Sequence, residues 1–128
     1  MYPRSAAAQL RTTDLARSIR FYTEILGLTL DFHYQDFYAG LSAGRQRIHL
    51  KRVDQPDPSI PYVAAGEHLH LYFETDDAHA LAAAIETKGV TLTRPVHHTP
   101  WGMLEFILQD DQGHTLYFGQ SVPAEPAA

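Results

Sequence analysis

The residues best suited to chemistry fall on every second position of extended segments. In His68-Leu-His-Leu-Tyr-Phe-Glu74, the residues His68, His70, Tyr72 and Glu74 share one side and Leu69, Leu71 and Phe73 the other, because successive strand side chains point to opposite faces. The split recurs in Gln46-Arg-Ile-His-Leu-Lys51, where Ile48 and Leu50 oppose Arg47, His49 and Lys51. It recurs again where Leu116 and Phe118 oppose Thr115, Tyr117 and Gly119. The apolar sides must lie under helices. The other sides form a polar and aromatic wall that, in a curved sheet, lines a cavity for a small molecule. Imidazole, phenol and carboxylate groups there suit proton transfer, metal ligation or simple gripping. The plainer role for each histidine, in a chain with eight of them, is a polar wall or surface position.

Other chemistries are excluded more directly. With no cysteine, the chain has no disulfide, thiolate ligand or cysteine nucleophile. Ser42, Ser59 and Ser121 lack the flanking glycines of a nucleophile elbow and read as turn or edge residues. A net charge of −5 with ten scattered Lys and Arg residues argues against nucleic acid. Mild acidity is compatible with a cationic ligand and is also ordinary for a soluble protein. No apolar run approaches the roughly 18 residues that cross a bilayer, and the N-terminus does not resemble a signal peptide. A cytoplasmic location without membrane contact is expected.

These residues are positioned by a repeated unit. A strand over Ala6 to Thr12 is followed by the cap Thr13-Asp14 and a helix with apolar positions Leu15, Ile19, Tyr22, Ile25 and Leu26, stopped by Gly27. Strands are predicted for 28–34, 37–42 and 47–53, with Ala43-Gly44 as a tight turn and Gly40 and Gly44 as hairpin punctuation. Asp54 to Gly66, with Pro56, Pro58 and Pro61, reads as a linker without regular structure. Laying Thr13–Leu30 over Thr75–Leu92 at an offset of 62 gives seven identities in 18 positions, including Asp14 with Asp76 and Gly27 with Gly89. Such duplication dictates architecture. The second unit is predicted as strand 68–75, helix 77–88 and strands 90–96, 103–109 and 115–120. The fold class is α+β: two βαβββ modules with curved mixed sheets. Module 1 covers about 6–53 and module 2 about 67–120 of a single domain spanning 1–128, with a loose tail over 121–128.

With Asp14-Leu-Ala-Arg-Ser-Ile-Arg-Phe-Tyr22 and Leu26-Gly27, and then Pro100-Trp-Gly, Glu105-Phe, Asp110 and Gly113-His114, the chain resembles the vicinal oxygen chelate superfamily. That group contains glyoxalase I, extradiol dioxygenases and the bleomycin-resistance proteins. The resemblance covers Ala6 to Gln120 and implies a homodimer in which modules from two chains create two pockets. It also implies four metal-ligand positions, which fall at Ala7 (or Ala8), His49, His70 and Tyr117. Alanine cannot ligate, and a phenol with a reference pKa near 10 is a poor ligand at neutral pH. Catalytic metal sites generally keep three or more protein ligands, so no cofactor is expected. Gln9, His97 and His98 are the residues that would have to substitute.

Within the superfamily, Asp36-Phe-Tyr-Ala-Gly40 and the Pro-Trp-Gly loop are most similar to the drug-sequestering, bleomycin-resistance-like members, which hold flat, often cationic ligands without metal. The resemblance thus implies a binder of an aromatic or cationic compound such as an antibiotic. Trp101, Phe37, Tyr72 and Tyr117 would supply rings, with Tyr38 as a further candidate. Glu105 and Glu74 would supply counter-charge, and His49 and His70 polar walls, while Arg47 and Lys51 weigh against a purely acidic pocket. Two alternatives stay open. One is a metal-dependent glyoxalase-like or dioxygenase-type enzyme that holds zinc, nickel or iron through His49 and His70. The other is a metal-free enzyme with His70 or Glu105 as general base.

Overall fold

The computed structural model describes residue 3 and residues 5–66 and 68–122. The expected start of the second module at Glu67 and the tail beyond Val122 lie outside these residues. The chain divides into two compact units, Met1–Pro58 and Ser59–Ala128.

In the first unit, β1 (Ala7–Thr12) leads into α1 (Leu15–Arg20), then β2 (Thr29–Tyr34), β3 (Tyr38–Ala43) and β4 (Gln46–Arg52). The sheet order is β1-β4-β3-β2, with β1 parallel to β4 and the other pairs antiparallel. Leu15, Phe21, Tyr22, Leu41, Ile48 and Leu50 are buried. Helix residues therefore cover one sheet face, as the alternation in β4 requires. In the second unit, α2 (Ile60–Ala64) precedes β5 (Leu71–Glu74), α3 (Ala78–Thr87), β6 (Arg94–His98), β7 (Met103–Gln109) and β8 (Thr115–Ser121). Its order β5-β8-β7-β6 repeats the first sheet, again with one parallel pair, β5 with β8. Here Ala82, Ile85, Phe106, Leu108, Leu116 and Phe118 are buried, and Phe106, Phe118 and Phe73 form a continuous stack with centroids 4.9 and 5.0 Å apart.

The two modules are not aligned at a single offset. Asp14 caps α1 by accepting from the Arg17 N–H at 3.0 Å, and Asp77 caps α3 by accepting from the Ala80 N–H at 3.0 Å, with nearly identical backbone angles. The caps are thus 63 residues apart, whereas the stop glycines Gly27 (φ 78°) and Gly89 (φ 93°) are 62 apart. The first helix holds one residue more. It absorbs that residue by continuing from α1 as a π-helical segment, Phe21–Ile25, the usual home of a single inserted residue. The pairing of Asp14 with Asp76 is therefore corrected to Asp14 with Asp77.

Other boundaries shift for identifiable reasons. The linker contains α2, because Pro61 stands in the first helical turn, where a missing N–H costs nothing. β5 begins at Leu71, and Leu69, expected under the helices, is 94% exposed. β6 begins at Arg94 rather than Val90. Phe37 lies in the β2–β3 turn rather than in a strand, and Ser121 is the last residue of β8 rather than the start of a loose tail. Gly44 (φ 59°) does form the β3–β4 turn, but Gly40 lies inside β3 and punctuates no hairpin.

Candidate functional site

On the first unit's open face, parallel pairing sets Gln9 beside His49, and antiparallel pairing sets Gly40 on His49's other side. The Gln9 amide nitrogen donates to the Tyr38 hydroxyl at 3.0 Å, and that hydroxyl lies 2.9 Å from His49 Nδ1. An amide nitrogen only donates, so the hydroxyl accepts from Gln9, which leaves it a proton to give to a bare Nδ1 or a second lone pair to accept from a protonated one. Phe32 completes the group, its ring 5.5 Å from His49 in an edge-to-face arrangement and 6.0 Å from Tyr38. A Cβ on Gly40 would stand 2.5 Å from Phe32 Cε2, so the bare backbone of Gly40 is what lets this ring lie down. Asp31, Phe32, Ser42, Arg45, Arg47 and His49 line a cavity of about 620 Å³, and Asp31 accepts from Ser42 at 3.1 Å.

The second unit builds its open face from different groups. Tyr72 and Tyr117 are ladder partners with rings stacked at 6.3 Å, and His70 lies 4.7 Å from Tyr117. His70 Nε2 donates to the Val63 carbonyl of α2 at 2.9 Å, which leaves Nδ1 as its open nitrogen. Glu105 is 7% exposed and accepts from the Tyr72 hydroxyl at 2.9 Å. Burial first, then the hydrogen bond to Glu105, then the charges of Glu105 and Glu74, push the Tyr72 hydroxyl up to about 12. The Tyr72 hydroxyl and Met103 Cε occupy the space a Cβ at Gly119 would need. A second cavity of about 730 Å³ is lined by Glu74, Thr75, Asp76, Met103 and Gly119–Ser121.

The two remaining ring candidates occupy turns. Trp101 is 72% exposed at the β6–β7 turn, which the Gly102 N–H closes onto the Thr99 carbonyl. Phe37 is 46% exposed, its ring 6.3 Å from Tyr38. Asp110, part of the motif that carried the resemblance, is scaffold: its Oδ1 accepts from the Gln112 and His114 N–H groups and shapes the β7–β8 turn.

The fold's metal positions can be tested on donor chemistry. Ladder pairing makes Ala7 the counterpart of His70 and His49 the counterpart of Tyr117. Within the first unit His49 has a methyl group where a second ligand would stand, and within the second His70 has a phenol. Among the described residues no three His, Asp or Glu side chains converge.

Phe32 and the Gln9–Tyr38 relay were missed as site features. A bulge between Leu30 and Phe32 explains Phe32: Leu30 pairs with buried Leu41 and Phe32 with Gly40, so residues two apart face opposite ways. Simple alternation puts them together.

Fold and wall together define a protein of the two-module βαβββ class. The glyoxalase/bleomycin resistance protein/dioxygenase superfamily model matches residues 4–118, and the chain belongs to that superfamily. No curated protein matches the chain significantly. Among solved structures, lactoylglutathione lyase from Agrobacterium tumefaciens is 20% identical with a TM-score of 0.71, covering 93% of this chain and 95% of its own. An antibiotic-binding protein from Streptomyces sp. CB03234 is 22% identical with a TM-score of 0.70, covering 94% and 97%. The bleomycin-binding protein from Streptomyces verticillus, solved with copper(II)-bleomycin, is 24% identical with a TM-score of 0.66, covering 92% and 96%. At these identities the likeness is one of fold.

Proposed function

We propose that the chain is a metal-free, cytoplasmic binding protein, working as a homodimer, that sequesters a small aromatic or cationic compound such as an antibiotic without turning it over. Trp101, Phe37, Tyr72 and Tyr117 would offer ring faces, Glu105 counter-charge, and His49 and His70 hydrogen bonds. The observation that carries this reading is the treatment of the fold's ligand positions. Ala7 has no donor, Tyr117 holds its ring against His70, and both histidines have a ring nitrogen engaged by a neighbour. Such a surface is suited to stacking and hydrogen bonding. The fold likeness to two antibiotic-binding proteins agrees with it.

Trp101 is the chain's single tryptophan, so its emission reports one position. Candidate aromatic compounds should quench it stoichiometrically, and Trp101→Ala should weaken binding by about 1–3 kcal/mol, the worth of a stacking platform. Unchanged affinity in that variant rejects the role of Trp101. The competing metal-enzyme reading predicts tightly held zinc, nickel or iron in protein purified without a histidine tag, and turnover that a chelator abolishes. Elemental analysis beside a product assay decides between the two.

A further inference from the structure

We infer that the first unit's open face is a carboxylate-recognition site and that the compound held there is an aromatic acid. The inference rests on the binding reading above and names the ligand class for this face.

Arg47 and His49 stand two apart on β4, so they project from the same face, and both line the 620 Å³ cavity with Phe32 and Arg45. An ion pair joins Arg52 and Asp36 at 3.9 Å and takes neither Arg45 nor Arg47. Arg45 and Arg47 therefore face the cavity without a carboxylate partner among the described residues. One carboxylate, Asp31, lies in the cavity and takes the Ser42 hydroxyl proton. Two guanidinium groups against one carboxylate leave one net positive charge, which matches a monoanion better than a phosphate dianion. The guanidinium fork fits both oxygens of a planar carboxylate.

The Gln9–Tyr38–His49 chain places a further polar group beside the arginines. With Gln9 donating to the Tyr38 hydroxyl, that hydroxyl's own proton can go to Nδ1, and neutral His49 is assigned its outward proton on Nε2. It presents a donor, whereas a metal ligand or a general base would need a lone pair there. Phe32, 42% exposed above Gly40, gives the acid's ring an apolar side wall. A cavity of this size accommodates a fused two-ring body.

The test uses the full chain and three probes of equal shape: 2-naphthoate, 2-naphthamide and 2-naphthylmethylammonium, titrated by calorimetry without added metal. The acid should bind at least ten-fold tighter than the amide, more weakly as salt rises, and the ammonium should not bind. Arg47→Gln should lower the acid to the level of the amide and leave the amide unchanged. Arg47→Lys should fall between, because charge is kept and the fork is lost. Long-range proton–nitrogen NMR of the free protein should find the His49 proton on Nε2. Equal binding of acid and amide, preference for the ammonium, or a His49 proton on Nδ1 overturns the carboxylate assignment and leaves the binding reading standing. Silence of all three probes also overturns it, while the Trp101 titration judges the broader reading separately. Acid binding that appears only with added zinc, nickel or iron overturns both.

Discussion

The phenol of Tyr72 crosses the bare backbone of Gly119 to reach Glu105, donating a 2.9 Å hydrogen bond to a carboxylate that is 7% exposed. Tyr72 is on β5 and Glu105 on β7, with β8 between them, so only a residue without a Cβ at position 119 allows the crossing.

That bond sets an alkaline signature. Burial and the bond to Glu105 push the Tyr72 hydroxyl up to about 12, above the ordinary tyrosine value near 10. Between these values the folded chain keeps a proton that the unfolded chain has lost. Stability should accordingly fall as pH rises through this window, while below it the Tyr72 contribution is fully present and does not vary with pH. Tyr72 should titrate late by tyrosinate absorbance. Tyr72→Phe should abolish both the late titration and its share of the slope. It should also cost about 1–3 kcal/mol at neutral pH, because Glu105 is left buried without its donor. Glu105→Gln should move the late titration back toward the ordinary tyrosine range. A Tyr72→Phe protein with an unchanged alkaline titration would show that the bond does not set this behaviour.

Gly40 and Gly119 use one device in two modules, each a mid-strand glycine lying beneath an aromatic ring. Gly40→Ala would set its Cβ 2.5 Å from Phe32 Cε2 and 2.8 Å from Cζ, forcing the ring off the sheet and away from His49. The expected cost is about 1–3 kcal/mol, in the range of overpacked substitutions. In a Phe32→Ala background the same change should cost less than about 0.5 kcal/mol, since nothing remains to collide. Gly119→Ala should likewise be relieved by Tyr72→Ala, though less completely, because Met103 Cε also stands 2.8 Å from the added Cβ. Denaturant unfolding of the two double-mutant cycles checks both, and additive costs would refute the close-approach role.

Much of this was readable from residue types, and each failure has its own physical cause. Alternation in 46–51 and 115–119 separated core from wall correctly because β4 and β8 are continuous central strands. It failed for Leu69, which lies before the strand begins, and it does not extend to Phe32, where a bulge reverses the phase. The Asp–Gly frame of the repeat was legible, yet a single offset could not register both ends once one module carried an extra residue. Glu105 was readable as a polar residue on β7; its partner was not, because the contact runs across a third strand through a glycine. The Tyr38 relay depends on hydrogen-bond direction, which spacing does not encode.

The extra residue in the first helix gives the last prediction. Caps 63 apart and stops 62 apart mean that positions up to Tyr22 correspond to those up to Ile85, while Glu24 corresponds to Glu86. Thr23 is then the unmatched residue, and it lies within the π-helical segment, where its hydroxyl donates to the Ile19 carbonyl at 2.7 Å. Deleting Thr23 should return the segment to ordinary α geometry, keep Leu15, Ser18 and Tyr22 buried and leave Gly27 at the stop. The expected cost is below about 2 kcal/mol. Deleting Ala83 from α3 offers no such relief. That helix already has the shorter spacing, and the loss would rotate buried Ile85 by about 100° off the sheet, because 3.6 residues make a turn. The Ala83 deletion should therefore cost at least about 2 kcal/mol more, at the level of an emptied core position. Denaturant midpoints of the two deletion proteins measure the difference, and equal losses would refute Thr23 as the inserted residue.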